Sequence, residues 1–308
     1  MSVILSDKGG SLVAEGIFSF KVGDFDCMVI SDGYHVYEEP IQLLFPDAPE
    51  VELAKLLQEH NLKLDDFREF NSSYSCLLVD TGEYLVLIDT GAGELLAGAG
   101  ELFKNLEIAK ISPDDIDVVI LTHGHPDHIG GNTTKDGKSV LPNSRYIMME
   151  EEWNFWIFEE AENVLEKSEL DKNFQKMLLH IAEMNLLSIR EQVDFVQDEE
   201  EIVSGIKALL TPGHTPGQMV PLIASKNERV YSISDTFIHP IHFERPEWYT
   251  AVDVYPEQVK AARDNLIKRI AKEEALVHAF HFPFPGLGYV REKKGVFRWE
   301  PVSFDGSI

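Results

Sequence analysis

Thr122-His123-Gly124-His125-Pro126-Asp127-His128-Ile129-Gly130-Gly131 is the stretch on which the reading of this chain turns. It directly follows a short, nearly all-apolar run, Asp117 to Thr122, of the kind that forms a strand buried on both faces. His123, His125, Asp127 and His128 place four metal-binding side chains within six residues. In extended backbone a side chain points to the same side as its i+2 neighbour, so His123 and His125 can share one ion. The proline and the glycines then let the chain turn, so Asp127 and His128 can face a second ion nearby. Imidazole and carboxylate without thiolate suit zinc, iron or manganese. The competing reading is a polar loop whose histidines make ordinary hydrogen bonds. It does not account for four such residues at the end of one buried strand.

Three further strand ends have the same local setting. A strand over 206–210 leads into Thr211-Pro212-Gly213-His214-Thr215-Pro216-Gly217, and one over 229–233 into Ser234-Asp235-Thr236. A third, over 276–280, leads into His281-Phe282-Pro283-Phe284-Pro285-Gly286. Each is weak alone, but their common placement predicts loops converging on one edge, where sites are built. Elsewhere a strand over 25–31 is expected to stop at Asp32-Gly33, and 74–80 and 84–89 form a hairpin about Thr81-Gly82. Helical spacing covers 94–109, a strand 145–149, and a long acidic helical stretch 150–187. Pro256 opens a helix to Glu274, and short strands follow at 289–292 and 296–299. Neither an eightfold βα barrel nor a single doubly wound sheet fits this order. Two mixed sheets between outer helices do, an α+β arrangement. No repeat or Gly/Ser linker divides the chain, so one domain is expected over 1–308, with a helical lid or insertion near 150–190.

Composition narrows the function. The chain has 308 residues, 53 acidic and 27 basic, for a formal charge of −26. Such a field repels phosphate backbones and anionic membrane surfaces, so neither nucleic acid nor membrane is expected as a partner. No apolar run approaches a membrane span, and the N-terminus lacks a secretory pattern. Cys27 and Cys76 read as buried free thiols of a reducing compartment, with one disulfide as the alternative; cytoplasm is the expected location.

The His-x-His-x-Asp-His segment resembles the metallo-β-lactamase-fold hydrolase superfamily. So do the Asp89-Thr90-Gly91 strand end, the Pro-Gly-His-Thr-Pro-Gly loop, Ser234-Asp235-Thr236 and His281, in that order over residues 74 to 286. His281-Phe-Pro-Phe-Pro-Gly-Leu-Gly and Ser31-Asp32-Gly33 are similar to the branch with methyl parathion hydrolase and lactonase-like enzymes. The resemblance implies a four-layer αββα sandwich. It implies His123, His125 and His214 on one metal, Asp127, His128 and His281 on a second, and Asp235 bridging both. Asp89 would orient the ligand loop from behind. The usual residue before the bridging aspartate is glycine; here it is Ser234. The branch also suggests a homodimer.

The expected activity is a dinuclear metal-dependent hydrolase, with zinc the default ion and manganese, iron or cobalt as alternatives. A hydroxide bridging the two ions would attack an ester, lactone or similar fairly apolar small molecule. Asp127 is the candidate to relay the proton to the leaving group. A phosphotriesterase or thioesterase on the same centre, or a scaffold that binds metal without catalysis, are the alternatives. Trp153, Trp156, Phe282 and Phe284 are candidate pocket walls, and His239 a candidate substrate contact. Packing roles compete with each of these. Tyr34, Tyr37 and Tyr249 are possible oxyanion or leaving-group donors that spacing does not separate.

Overall fold

The computed structural model describes residues 10–303, apart from 135, 159 and 169. Eight strands in chain order form one sheet: β1 (Ser11–Ala14), β2 (Ile17–Val22), β3 (Phe25–Glu38), β4 (Glu69–Asp80), β5 (Leu85–Ile88), β6 (Val118–Ile120), β7 (Arg145–Met149) and β8 (Val193–Val196). Seven form the other: β9 (Glu201–Val203), β10 (Ile206–Leu210), β11 (Met219–Ser225), β12 (Glu228–Ser232), β13 (Leu276–His278), β14 (Leu287–Lys293) and β15 (Val296–Pro301). Strands β1 to β5 pair antiparallel, and β5 to β8 pair parallel. In the second sheet only β12 and β13 pair parallel. Both sheets are mixed, as the element order predicts.

Strict alternation builds the layers. Phe18, Phe20 and Val22 of β2, Leu77 and Val79 of β4, and Val86 and Ile88 of β5 face the second sheet, where Met219 and Ile223 of β11 meet them. Their neighbours Ile17, Leu78 and Leu87 face outward. The outer face of the first sheet is covered by α3 (Leu102–Ile108), α5 (Glu150–Ile157), α6 (Glu160–Leu165) and α7 (Lys172–Ser188). Two other helices, α1 (Pro40–Leu44) and α2 (Glu50–Glu59), pack with α8 (Ile241–Glu244) in a satellite cluster around Phe45 and Trp248. The second sheet is covered by α9 (Pro256–Glu273). One short helix, α4 (Pro126–Ile129), lies inside the histidine motif. The result is helix, sheet, sheet, helix. Cys27 faces the inter-sheet layer and Cys76 the outer one, and both are free.

Two local expectations need correction. The strand over 25–31 does not stop at Asp32-Gly33. It shifts register between Ser31 and Gly33 and continues to Glu38, because glycine at φ 104° forms a bulge rather than a turn. The single helix over 94–109 is broken: Gly98 and Gly100, both at positive φ, separate a 3-10 turn at Gly93–Leu95 from α3.

Candidate metal centre

The strands that carry the motif residues run the same way in each sheet, so their loops leave at one edge. Asp89 follows β5; His123, His125, Asp127 and His128 follow β6. His214 follows β10, Asp235 follows β12, and His281 follows β13. The loops of the two sheets are joined directly where Met219 donates its N–H to the Thr122 carbonyl at 2.9 Å.

The seven motif side chains fall into two groups, His123–His125–His214–Asp235 and Asp127–His128–His281. In the first, His125 Nδ1 lies 3.1 Å from His123 Nε2 and 2.8 Å from His214 Nε2. Asp235 Oδ2 is 3.3 Å from His214 Nε2 and 3.8 Å from His123 Nε2. A tetrahedral ion with bonds near 2.0–2.1 Å sets its ligand atoms about 3.3 Å apart, and these separations bracket that value. In the second group Asp127 Oδ2 is 3.9 Å from His128 Nε2 and 3.6 Å from His281 Nε2. Asp235 Oδ1 is 3.0 Å from each of those imidazole nitrogens. His128 Nε2 and Asp235 Oδ1 are buried and have no hydrogen-bond partner. Orphaned buried donors and acceptors of this kind are rare, and a divalent cation between them removes the anomaly. The donor set fits two such ions.

Each group is held from behind. Asp89 Oδ2 is 2.8 Å from His128 Nδ1, and the same carboxylate accepts the Thr122 N–H at 2.8 Å and its hydroxyl at 2.9 Å. Asp253 Oδ1 is 2.7 Å from His214 Nδ1, and Ser72 Oγ is 2.8 Å from His281 Nδ1. These contacts leave Nε2 of all three rings facing the centre. Asp253 also accepts the Thr250 N–H at 2.6 Å and faces the buried Arg263 guanidinium at 3.8 Å. Ser234 sits at φ 44°, which explains why a glycine is usual there; its hydroxyl donates to Thr122 Oγ1 at 2.8 Å.

Glu152, in the first turn of α5, is fully buried and joins two of the three loops that carry the first group, those of His123–His125 and of His214. Its Oε1 accepts the Gly124 N–H at 2.8 Å and the Trp156 indole N–H at 2.7 Å; Oε2 accepts the Gly217 N–H at 3.0 Å. A Cβ at Gly217 would lie 2.2 Å from the Glu152 backbone nitrogen, and one at Gly124 would lie 2.4 Å from the Trp156 ring. Ser72, Glu152 and Asp253 all escape a sequence reading, because each meets its partner across at least 28 residues of chain.

Burial dominates the electrostatics. It pulls His123 and His125 well below the usual histidine range, and neighbouring imidazoles add to the effect. His214 is pulled the same way, but hydrogen bonding and charge from Asp235 and Asp253 outweigh burial and push it to about 9. Burial pushes Asp235 up, yet His281, His128 and His123 together hold it well below the carboxylate range.

A cavity of about 440 Å³ opens over the centre. His125, Asp127, Asp235 and His281 form its floor, with Ser72, His35 and Tyr37 beside them. Its walls are apolar: Leu43, Leu44 and Phe70 on one side, and Phe174, Met177 and Leu178 from one face of α7 on another. The expected 150–190 segment thus supplies a wall, though not through its tryptophans. Trp153 packs against Phe195, and Trp156 stands edge-on to His125 at 5.5 Å behind the ligand loop. Phe282 is buried against Phe243 and Trp299, and Phe284 packs on the inter-sheet core. The turn after β13 sends Phe282 into the helix-covered core of the second sheet and Phe284 onto the inter-sheet core, both away from the cavity that His281 faces. His239 is enclosed by Phe45, Phe67 and Phe70, and its neighbour Ile238 lines the cavity instead. None of Trp153, Trp156, Phe282, Phe284 and His239 lines the cavity.

Residues 71–281 match the profile of the Metallo-beta-lactamase superfamily. The chain belongs to this superfamily. Among its solved structures, the chain is similar to AidC, described as a dizinc quorum-quenching lactonase solved with a bound product. The TM-score is 0.84 at 31% identity, covering 94% of this chain and 99% of that one. It is also similar to the hydrolase AbOPH, with a TM-score of 0.82 at 27% identity over 96% of this chain and 100% of that one. N-acyl homoserine lactonase AiiA of Bacillus thuringiensis subsp. kurstaki is 24% identical over 227 residues, 67% of this chain and 80% of its own length. No helix among the described residues is long and apolar enough to cross a membrane.

Proposed function

We propose that this chain is a dinuclear metal-dependent hydrolase that opens lactones bearing an apolar substituent. The observation that carries the reading is the cavity itself: seven buried ligand-type side chains in two adjoining groups, beneath apolar walls. Two bound divalent ions would supply a water acidic enough to attack near neutral pH, and Lewis acidity for the substrate oxygen. His123, His125, His214 and Asp235 would hold one ion, and Asp127, His128 and His281 the other, with Asp235 reaching both. Asp127 lines the cavity and would accept the nucleophile's proton and return it to the leaving oxygen. The apolar walls exclude water from the substituent. Each methylene buried there contributes roughly 0.8 kcal/mol, so affinity should rise with chain length until the cavity is full. The similarity to AidC and AiiA supports a homoserine-lactone type of substrate.

The same reading takes zinc as the native ion, from the ligand chemistry and the dizinc relative. It takes residues 1–308 as one domain, since one core joins both sheets, and the cytoplasm as the location, since both thiols are free. A homodimer follows from the branch resemblance. The deciding experiment measures metal content and turnover of zinc-, manganese- and cobalt-reconstituted protein. The panel is an acyl homoserine lactone series, an aryl ester, an aryl phosphotriester and a β-lactam. Two ions per chain with turnover of the lactones, faster for longer chains, is the expected result. Turnover confined to the phosphotriester would replace carbonyl with phosphoryl chemistry. Fewer than one ion per chain after reconstitution would end the dinuclear reading.

A further inference from the structure

Beside the cavity floor lie polar groups that the metal centre does not use, Tyr37 and His35 among them. Tyr37 lies on β3 beyond the bulge at Gly33, so it and its i+2 neighbour His35 both face the cavity. Its ring meets His35 edge-on at 4.8 Å and stacks near Phe70 at 6.5 Å, which fixes its orientation. Its hydroxyl lies 2.9 Å from that of Tyr74. Tyr74 is completely buried, its ring wedged against Phe280 and His281. Tyr34 is exposed to solvent, and Tyr249 lines a neighbouring groove. Structure therefore separates three tyrosines that spacing could not.

The direction of the hydroxyl pair follows from counting protons. Among the described residues, the Tyr74 hydroxyl has Tyr37 as its sole hydrogen-bond partner. If Tyr37 donated, the Tyr74 proton would be left buried without an acceptor, at a cost of about 1–3 kcal/mol. Tyr74 therefore donates, Tyr37 accepts, and the Tyr37 proton is left for the cavity. We propose that Tyr37 is a catalytic residue whose O–H donates to the carbonyl oxygen of the substrate as negative charge builds there, and that Tyr74 is the positioning residue that aims it. Tyr37 forms and breaks no covalent bond; it remains a phenol throughout. A donor aimed where charge develops favours the transition state over the bound substrate.

The proposal rests on the hydrolase reading, and its test separates the two. Zinc-loaded wild type, Tyr37→Phe and Tyr74→Phe are compared for metal content, for kcat and KM on the lactone, and for hexanoate binding by calorimetry. Tyr37→Phe should keep two ions per chain and a KM within about threefold, lose about 100-fold in kcat, and bind hexanoate several-fold more weakly. Tyr74→Phe should show the same split with a smaller loss in kcat. A Tyr37→Phe protein with kcat within twofold of wild type, or with a change confined to KM, overturns the proposal. If wild type carries two ions yet turns over no lactone, the lactone reading fails. Unchanged hexanoate affinity in Tyr37→Phe would then still reject the donor role.

Discussion

Replacing Glu152 by glutamine tests whether the first metal group is built by its own ligands or by what holds the ligand loops together. The change keeps size and removes one oxygen. Glu152 receives three N–H donors, from Gly124, Trp156 and Gly217, and donates to none of them. In either amide orientation the glutamine NH₂ group must oppose at least one of them. The loss is one or two hydrogen bonds to a charged acceptor, each worth about 1.5–3 kcal/mol, with a buried N–H left unpaired. A stability loss of about 3 kcal/mol is expected, read by urea denaturation of the metal-loaded protein. The functional signature is selective. Gly124 lies between His123 and His125, and Gly217 lies three residues after His214, so the first group should weaken about 10- to 100-fold in metal affinity. The second group is held from behind by Asp89 on His128 and Ser72 on His281 rather than by Glu152, and should keep its ion. Chelator competition with cobalt-loaded protein reads the two ions separately. Trp156→Phe removes one of the three donors and should cost about 1 kcal/mol, with both ions retained. Equal weakening of both groups in Glu152→Gln, or of neither, would refute the reasoning.

Asp253→Ala should leave the His214 ring free to rotate and weaken the first ion by about 10-fold or more in chelator competition, with a second ion unaffected. Ser234→Ala keeps a side chain at φ 44° and loses the bond to Thr122, so it should destabilise by about 1–2 kcal/mol, whereas Ser234→Gly relieves the backbone and should come within about 0.5 kcal/mol of wild type. Burial pushes the Asp32 carboxyl up to about 6, against the backbone N–H groups of Leu102 and Ala92 that favour its charge. The folded protein then binds that proton more tightly than the unfolded chain, whose value is near 3.9, so this contribution is full below about pH 4 and lost as pH rises to about 6. The wild-type minus Asp32→Asn stability difference should fall by up to about 3 kcal/mol across that window; a flat difference would exclude Asp32 as its source.

Much of this was readable from residues 117–131 alone. A fully apolar strand followed by clustered ligands specifies both a buried sheet and a site at its edge, since the hydrophobic period and the ligand chemistry agree. His214, Asp235 and His281 were readable because each also ends a strand. What failed was inference about side chains with two good uses. Trp153, Phe282 and Phe284 could wall a cavity or fill a core, and apolar area favours the core wherever the local backbone directs the side chain there. His239 likewise sits where three aromatic rings exclude water. The supporting residues were illegible for a different reason: Ser72, Glu152 and Asp253 look like ordinary polar residues until the fold sets each opposite a partner from another loop. Tyr37 was a candidate that could not be told from Tyr34 and Tyr249, because a one-residue bulge decides which face of β3 it occupies.

The order of strands has a consequence for how the protein comes into being. Every strand of the first sheet precedes residue 197 and every strand of the second follows residue 200, so each sheet is one continuous length of chain. His123, His125, Asp127 and His128 belong to the earlier length; His214, Asp235 and His281 belong to the later one. Neither length carries a complete set for either ion. A nascent chain that has emerged only as far as β8 can pair its strands but cannot assemble the centre. The first ion's set is thereby completed only once Asp235 has left the ribosome and the second's only once His281 has, so a fully loaded centre reports that synthesis has passed both.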